Sequence, residues 1–146
     1  MKTITALFFL LIGTLVTGQN KLNCKVYHTG FFEFEGKHSN VVIYRNKKYQ
    51  IEYNTANNEW ITIKLNWTSN CNYSFTFINT NMDNIKPFIG HSIDVNITSG
   101  NSEGYVYHSV VKDEGKEFDG KIIFLVTDTD NSIKRKIKHK LKETKS

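Results

Sequence analysis

The chain has 146 residues, of which 39% are hydrophobic, 13% aromatic and 23% charged, with one proline and two cysteines. That length suffices for one domain with a hydrophobic core and is too short for most enzymes built from several parts. The content of aromatic and β-branched residues excludes an intrinsically disordered chain. Composition therefore predicts one folded domain, which we assign to residues 19–131.

The first 18 residues have the pattern of a secretory signal peptide. A positive start at Lys2 precedes an almost uninterrupted apolar run over residues 4–16, and Gly18 offers a cleavage position before a polar stretch. The alternative is a transmembrane anchor, which needs about 20 apolar residues, more than this run supplies. We therefore expect cleavage after Gly18 and a secreted or periplasmic mature chain without a transmembrane segment.

The mature part contains an even pair of cysteines, Cys24 and Cys71. In an oxidising compartment such a pair favours a disulfide, which would contribute ~4 kcal/mol on the chain-entropy model. The alternatives are two free thiols or a metal site, and neither cysteine has a histidine at ligand spacing. We predict the Cys24–Cys71 disulfide and no metal or cofactor.

Between the signal and the tail, apolar residues alternate with polar ones instead of recurring at helical spacing. Ile61, Ile63, Leu65 and Trp67 show this best, because they fall on one face of a strand. Short breaks between such runs favour antiparallel neighbours, so we predict an all-β meander that forms a small barrel, or a sandwich if the sheet splits. The long connection over residues 79–90 carries the only proline and is expected to cover one end. The predicted strands are 24–34, 40–46, 48–54, 60–67, 72–78, 91–98, 104–112 and 120–127.

The tail, residues 132–146, is strongly basic, with seven basic residues and one acidic residue, whereas residues 19–131 carry 11 basic and 13 acidic. Ile133, Ile137 and Leu141 recur every four residues, as on one stripe of a helix. Read with period two, the lysines would share one face of a strand, but lysine favours helix. We predict a helix or a frayed tail that contacts an anionic surface or polymer. The residues expected to make this contact are Lys134, Arg135, Lys136, Lys138, Lys140 and Lys142.

Several segments carry a resemblance to a known family. Segment 24–34 opens with a cysteine, then an aromatic residue, Thr-Gly and another aromatic residue, and segments 43–45, 50–52, 67–73 and 89–90 add Ile-Tyr-Arg, Gln-Ile-Glu, Trp-Thr-Ser-Asn-Cys-Asn-Tyr and Ile-Gly. In this order and spacing they resemble a family of short exported bacterial β-proteins without an established activity. Some of its members are labelled DNA topoisomerase IV. One exported domain has no room for a gyrase-like ATPase or a strand-passage gate, so we do not expect that activity.

Arg45 and Glu52 are the first candidate site residues, since they lie on consecutive strands joined by a tight turn at Asn46-Lys47. That turn would place them near each other, roughly opposite or one pair off. One interpretation makes Arg45 an anion-binding residue inside a pocket, supported by Glu52. The other is an ion pair that only orients the hairpin.

A second set of candidates comes from an analogy with lipocalins, whose G-x-W signature the Thr-Gly-Phe segment at 29–31 resembles in one glycine and one aromatic residue. If the barrel were lipocalin-like, alternating aromatic residues would line its interior. The alternative is that they simply fill it, because eight strands leave little more room than side chains need. The lining residues expected are Tyr73, Phe75, Tyr105 and Tyr107.

No catalytic motif is assembled in the sequence, and no histidine pair has zinc-ligand spacing. We therefore expect a secreted, non-enzymatic binding or structural protein. The alternatives are a carrier of a small apolar ligand, or a hydrolase whose site forms only in the fold, with His91 and His108 as its candidate residues.

Overall fold

A computed structural model describes residues 22–36, 40–124 and 130–144 of the chain. It contains eight strands, one α-helix and two short 3₁₀ helices, at Cys24–Tyr27 and Lys86–Phe88. The strands are β1 Gly30–Phe34, β2 Val41–Arg45, β3 Tyr49–Asn54, β4 Trp60–Trp67, β5 Asn72–Thr80, β6 Ser92–Gly100, β7 Gly104–Val111 and β8 Glu117–Phe124, and the helix α1 is Asn131–Glu143.

The eight strands form one closed, antiparallel barrel in chain order. Each strand pairs with the next, and β8 closes the sheet onto β1 with Phe124 beside Phe32 and Ile122 beside Phe34. The predicted all-β meander is therefore confirmed as a barrel, and the sandwich alternative is wrong. Six of the predicted strands agree with the observed bounds to within two residues.

Alternation of side chains along each strand builds the barrel core. Phe32, Ile43, Ile63 and Leu65 are buried and pack in one interior cluster. One irregularity interrupts the pattern on β5, where Thr62 of β4 pairs with Asn79 and the next residue pairs with Phe77. The extra residue between them is a β-bulge, which bends the strand as it leaves the barrel.

One end of the barrel is closed by the 3₁₀ helix Cys24–Tyr27, and here the prediction of a strand from residue 24 is wrong. Cys24 and Tyr27 are buried while Val26 between them is 51% exposed, a spacing of three that fits a 3₁₀ helix and not a strand. The Asn23 side chain caps this helix by accepting a hydrogen bond from the Lys25 amide. Gly30, at φ 140°, then turns the chain into β1.

The predicted disulfide between Cys24 and Cys71 is present and ties this 3₁₀ helix to the turn between β4 and β5. The Tyr27 hydroxyl donates to the Asn101 carbonyl in the turn between β6 and β7. Gly100 allows this approach, because a Cβ there would overlap the Tyr27 ring. The closed end is therefore held from two sides by covalent and hydrogen bonds.

Helix α1 packs against the outer face of β2 and β3, so the described part of the tail predicted at residues 132–146 forms a helix and is not frayed. Ile137 and Leu141 are buried in a second cluster with Val42, Ile51 and Tyr53 of these strands. The four-residue spacing of the apolar stripe is what lets one helix face cover these side chains. The Asp130 side chain caps the helix N-terminus at Ser132.

Two predictions fall partly or wholly outside the described residues. The signal peptide, residues 1–18, lies outside them, as do positions 125–127 of the last predicted strand, which begins three residues earlier than expected, at Glu117. Within the part of the chain that the structure describes, no helix has the length and apolar character to cross a membrane. The disulfide is compatible with an extracellular or periplasmic location.

Candidate ligand site at the open end of the barrel

The end of the barrel opposite the 3₁₀ helix contains a cavity of about 540 Å³. Inward-facing residues of the strands form its base, and side chains near the strand ends form its rim. The long connection between β5 and β6 contributes Met82, so the prediction that this segment covers one end agrees with its position. The residues that line this mouth cavity include Phe34, Glu52, Trp60, Ile61, Met82, Tyr107 and Lys121.

A second cavity of about 230 Å³ lies deeper in the barrel and shares Phe34, Glu52, Ile61 and Tyr107 with the mouth. The four shared residues mean that the two cavities adjoin. The remaining walls of the inner cavity are mostly apolar. They are formed by Ile63, Phe75, Phe77, Ile85, Val95 and Ile122, together with Gln50 and Tyr73.

Arg45 is fully buried in the interior toward the closed end, and its hydrogen-bond donors are directed at the surrounding protein. Nε donates to the Gln50 side chain at 2.7 Å, and Nη1 donates to the Tyr27 carbonyl of the 3₁₀ helix at 3.0 Å. Nη2 donates to the hydroxyls of Tyr105 at 2.8 Å and Tyr73 at 3.4 Å. Arg45 lines neither the mouth nor the inner cavity, so the interpretation as an anion-binding residue in a pocket is wrong.

Arg45 and Glu52, expected roughly opposite each other or one pair off, both lie on this hairpin but are not opposite each other. Arg45 pairs with Gln50 across the hairpin, and Glu52 pairs with Ile43, two positions away. Among the described residues Arg45 makes no direct ion pair; instead Gln50 accepts from Arg45 and donates to Glu52 Oε1 at 2.7 Å. A hydrogen-bonded row, Arg45–Gln50–Glu52, therefore runs from the closed end to the cavities.

The turn explains this register. The Asn46 side chain accepts hydrogen bonds from the amides of Lys48 and Tyr49, which centres the turn on Lys47-Lys48, one residue later than predicted. Because residues i and i+2 of a strand share a face, Gln50 and Glu52 both point inward. Arg45, opposite Gln50, points inward as well.

Burial dominates the electrostatics of the site. It raises the pKa of the Glu52 carboxyl above its ordinary value, and the hydrogen bond from Gln50 and the charge of Arg45 offset only part of that rise. Burial, together with the neighbouring Glu52 and Tyr73, raises the pKa of Tyr107 to about 12. The Tyr105 hydroxyl, buried beside Arg45, has a pKa raised well above its ordinary value by desolvation. Both tyrosines are therefore neutral hydrogen-bonding groups near neutral pH.

Replacing Glu52 with glutamine is expected to stabilise the protein at pH 7. A raised folded-state pKa means that Glu52 favours folding at low pH and that this contribution is lost as pH rises through the folded pKa. E52Q keeps an acceptor for Gln50 and removes the charge, so its advantage should disappear below about pH 4, where the carboxyl is protonated in both states. Urea unfolding at several pH values measures this.

The matched control is E103Q, which removes an exposed carboxylate at the closed end of the barrel. Its stability should differ from that of the unchanged protein by under ~0.5 kcal/mol. An E52Q protein that is less stable than the unchanged protein at pH 7 would contradict the assignment of Glu52 to an unfavourable, half-buried position.

The predicted lining residues divide between the two ends. Tyr107 lines both cavities, and Tyr73 and Phe75 line the inner one. Tyr105 lines neither cavity and instead fills the interior as a partner of Arg45.

Sequence reasoning missed Gln50, Phe34 and Gly120 as members of the site. Gly120 is needed because a Cβ there would overlap the Tyr107 ring. The alternation of side chains along β3 could have identified Gln50, since it shares a strand face with Glu52.

Most basic side chains of α1 already contact the barrel, so only some of them are available to bind a partner. Four lysines lie over aromatic rings of the outer barrel wall, a cation–π geometry that orders their side chains. Arg135 and Lys142 are exposed. Contact of this helix with an anionic surface stays a prediction, and salt-dependent retention on an anionic matrix, with and without R135Q and K142Q, checks it. The ring contacts join Lys134 and Lys138 to Phe31, Lys138 to Tyr44, Lys136 to Tyr53, and Lys140 to Trp60.

The histidines proposed for a hydrolase, His91 and His108, line neither the mouth nor the inner cavity. His108 lies on β7 with its ring nitrogen 2.9 Å from the Asp119 carboxylate, and His91 packs edge-on against Phe88. Across residues 22–36, 40–124 and 130–144, no group of three metal-ligating side chains is close enough to hold an ion.

Comparison with known proteins adds no relative: no protein-family model, curated protein or solved structure matches the chain. The resemblance to a family of short exported β-proteins therefore stays a prediction.

Proposed function

We propose that this protein is an exported, non-enzymatic binding protein and that its ligand is a small molecule held in the open end of the barrel. The observation that carries the proposal is the pair of adjoining cavities, which share Phe34, Glu52, Ile61 and Tyr107. Concave sites with mostly apolar walls and a few polar groups are typical of small-molecule binding.

The cavity volumes favour one arrangement of the ligand. The inner cavity, about 230 Å³, is smaller than the ~300 Å³ at the lower end for ligand pockets, so it does not favour a carrier that encloses its cargo completely. The mouth cavity, about 540 Å³, lies within that range. We therefore place the body of the ligand in the mouth and one apolar end in the inner cavity.

The polar group expected to orient the ligand is Glu52. Its carboxylate lies on the wall common to both cavities and is fixed on one side by Gln50. A half-buried carboxylate lowers the stability of the fold. Such locally unfavourable groups are typical of binding sites, because they are kept for binding and not for stability.

Binding of 1-octanol, an uncharged chain of suitable length, tests the proposal. Saturation-transfer NMR should detect saturable binding to the unchanged protein. I61W, which places a large ring where the two cavities adjoin, should abolish it. V106W adds the same ring at an exposed position on β7 and should bind like the unchanged protein. Equal binding to both variants, or no binding to the unchanged protein, would contradict the proposal.

A further inference from the structure

We infer that the ligand of the open end carries a positively charged amine on an apolar body, and that Glu52 accepts the ammonium group inside the mouth. This inference rests on the proposed function and names the chemical class of its ligand.

Most acceptor positions of the Glu52 carboxylate have no hydrogen-bond partner among the described residues. A carboxylate has about four acceptor positions. Among the described residues, the one hydrogen bond to this carboxylate comes from Gln50, at Oε1. The adjoining cavities lie beside the remaining acceptor positions. A desolvated carboxylate is stabilised most by a donor that is itself charged, and an ammonium group supplies three such donors.

The residues that the structure describes supply no free cation to this carboxylate. Within the described part of the chain, Lys121 is the one cationic side chain that lines either cavity, and it is bound to Glu35. Arg45 reaches Glu52 only through Gln50, because its other donors are held by Tyr27, Tyr73 and Tyr105. Because none of the described cationic side chains is available to Glu52, we assign the role of its cationic partner to the ligand.

The rim of the mouth is predominantly acidic. Among the described residues, Glu35, Glu59 and Asp119 line the mouth with Glu52, and Lys121 is the one cationic side chain there, so carboxylates outnumber cations. A cavity lined by one sign of charge concentrates ligands of the opposite sign and disfavours ligands of its own sign. Fatty acids and other apolar anions are therefore poor candidates for this mouth.

The walls beside Glu52 are partly aromatic. Phe34 and Tyr107 line both cavities together with Glu52. Aromatic faces attract ammonium groups and also pack against hydrocarbon, so one wall serves both parts of an apolar amine. The apolar inner cavity then takes the end of the body that points away from the charge.

A matched set of eight-carbon probes tests the inference: octylammonium, 1-octanol and octanoate at pH 7. Each is titrated into the unchanged protein, E52Q and the control E103Q, with affinity measured by NMR. We expect octylammonium to bind the unchanged protein and E103Q about tenfold or more tightly than 1-octanol, with octanoate weakest. In E52Q the preference for octylammonium over 1-octanol should disappear, while 1-octanol binding is kept.

The possible failures are distinguishable. Equal binding of octylammonium and 1-octanol to the unchanged protein, or tightest binding of octanoate, would overturn the inference while the proposed function stands. An octylammonium preference that persists in folded E52Q would overturn the role of Glu52. Absence of binding by all three probes would overturn the proposed function and the inference with it. The ranking on the unchanged protein decides the ligand class even if E52Q does not fold.

Discussion

Replacing both cysteines with alanine is expected to lower the free energy of unfolding by ~4 kcal/mol. The Cys24–Cys71 bond joins residues 47 positions apart, so it removes many conformations from the unfolded chain. It also holds the 3₁₀ helix Cys24–Tyr27 against the end of the barrel, and Cys24 itself is fully buried. Urea unfolding of the oxidised protein and of the double variant measures the difference.

Reduction provides the control for the double variant. The unchanged protein with a reductant should lose about the same stability, whereas the double alanine variant should not respond to the reductant. A loss under ~1 kcal/mol in both experiments would show that the closed end is held by packing and hydrogen bonds alone.

Replacing Arg45 with methionine is expected to destabilise the protein by ~3 kcal/mol or more. The substitution keeps an apolar chain in the barrel but removes the donors that satisfy the buried Tyr27 carbonyl and the Gln50 side chain. Each buried acceptor left without a partner costs ~1–3 kcal/mol. Methionine also removes the guanidinium from between the rings of Phe32, Tyr73 and Tyr105.

The chain offers a matched control, because its second arginine, Arg135, is exposed on α1. R135M should change the free energy of unfolding by under ~0.5 kcal/mol. If R45M were as stable as R135M, the row from Arg45 to Glu52 would have no structural role, and the register of Glu52 would depend on the hairpin turn alone.

The strands of the barrel could be predicted from the sequence. Each strand buries one face, so apolar residues alternate with polar ones along it, as Ile61, Ile63 and Leu65 show. Short connections between consecutive strands predict the antiparallel order, whereas closure depends on the pairing of β8 with β1, which the sequence left open. The 3₁₀ helix at the closed end could not be predicted this way. Over four residues, alternation and a period of three are difficult to distinguish, and the tertiary contacts of Cys24 and Tyr27 decide between them.

The candidate site was predictable only in part. Arg45, Glu52 and Tyr107 were identified from their strands, but which of them meet depends on the hairpin register, and Asn46 sets that register through its side chain. A turn shifted by one residue moves each pairing by two positions: the predicted turn at Asn46-Lys47 would place Arg45 opposite Lys48, and the observed turn places it opposite Gln50, which is two positions short of Glu52. The cavities at the open end depend on how side chains from several strands pack together. A local sequence pattern does not predict such packing.

Intermolecular NOEs to bound 1-octanol show directly whether the open end of the barrel holds a ligand. We expect contacts from the alkyl protons to the rings of Phe34 and Tyr107, which line both cavities. Contacts only to rings outside the barrel, such as the exposed Phe118, would contradict this expectation.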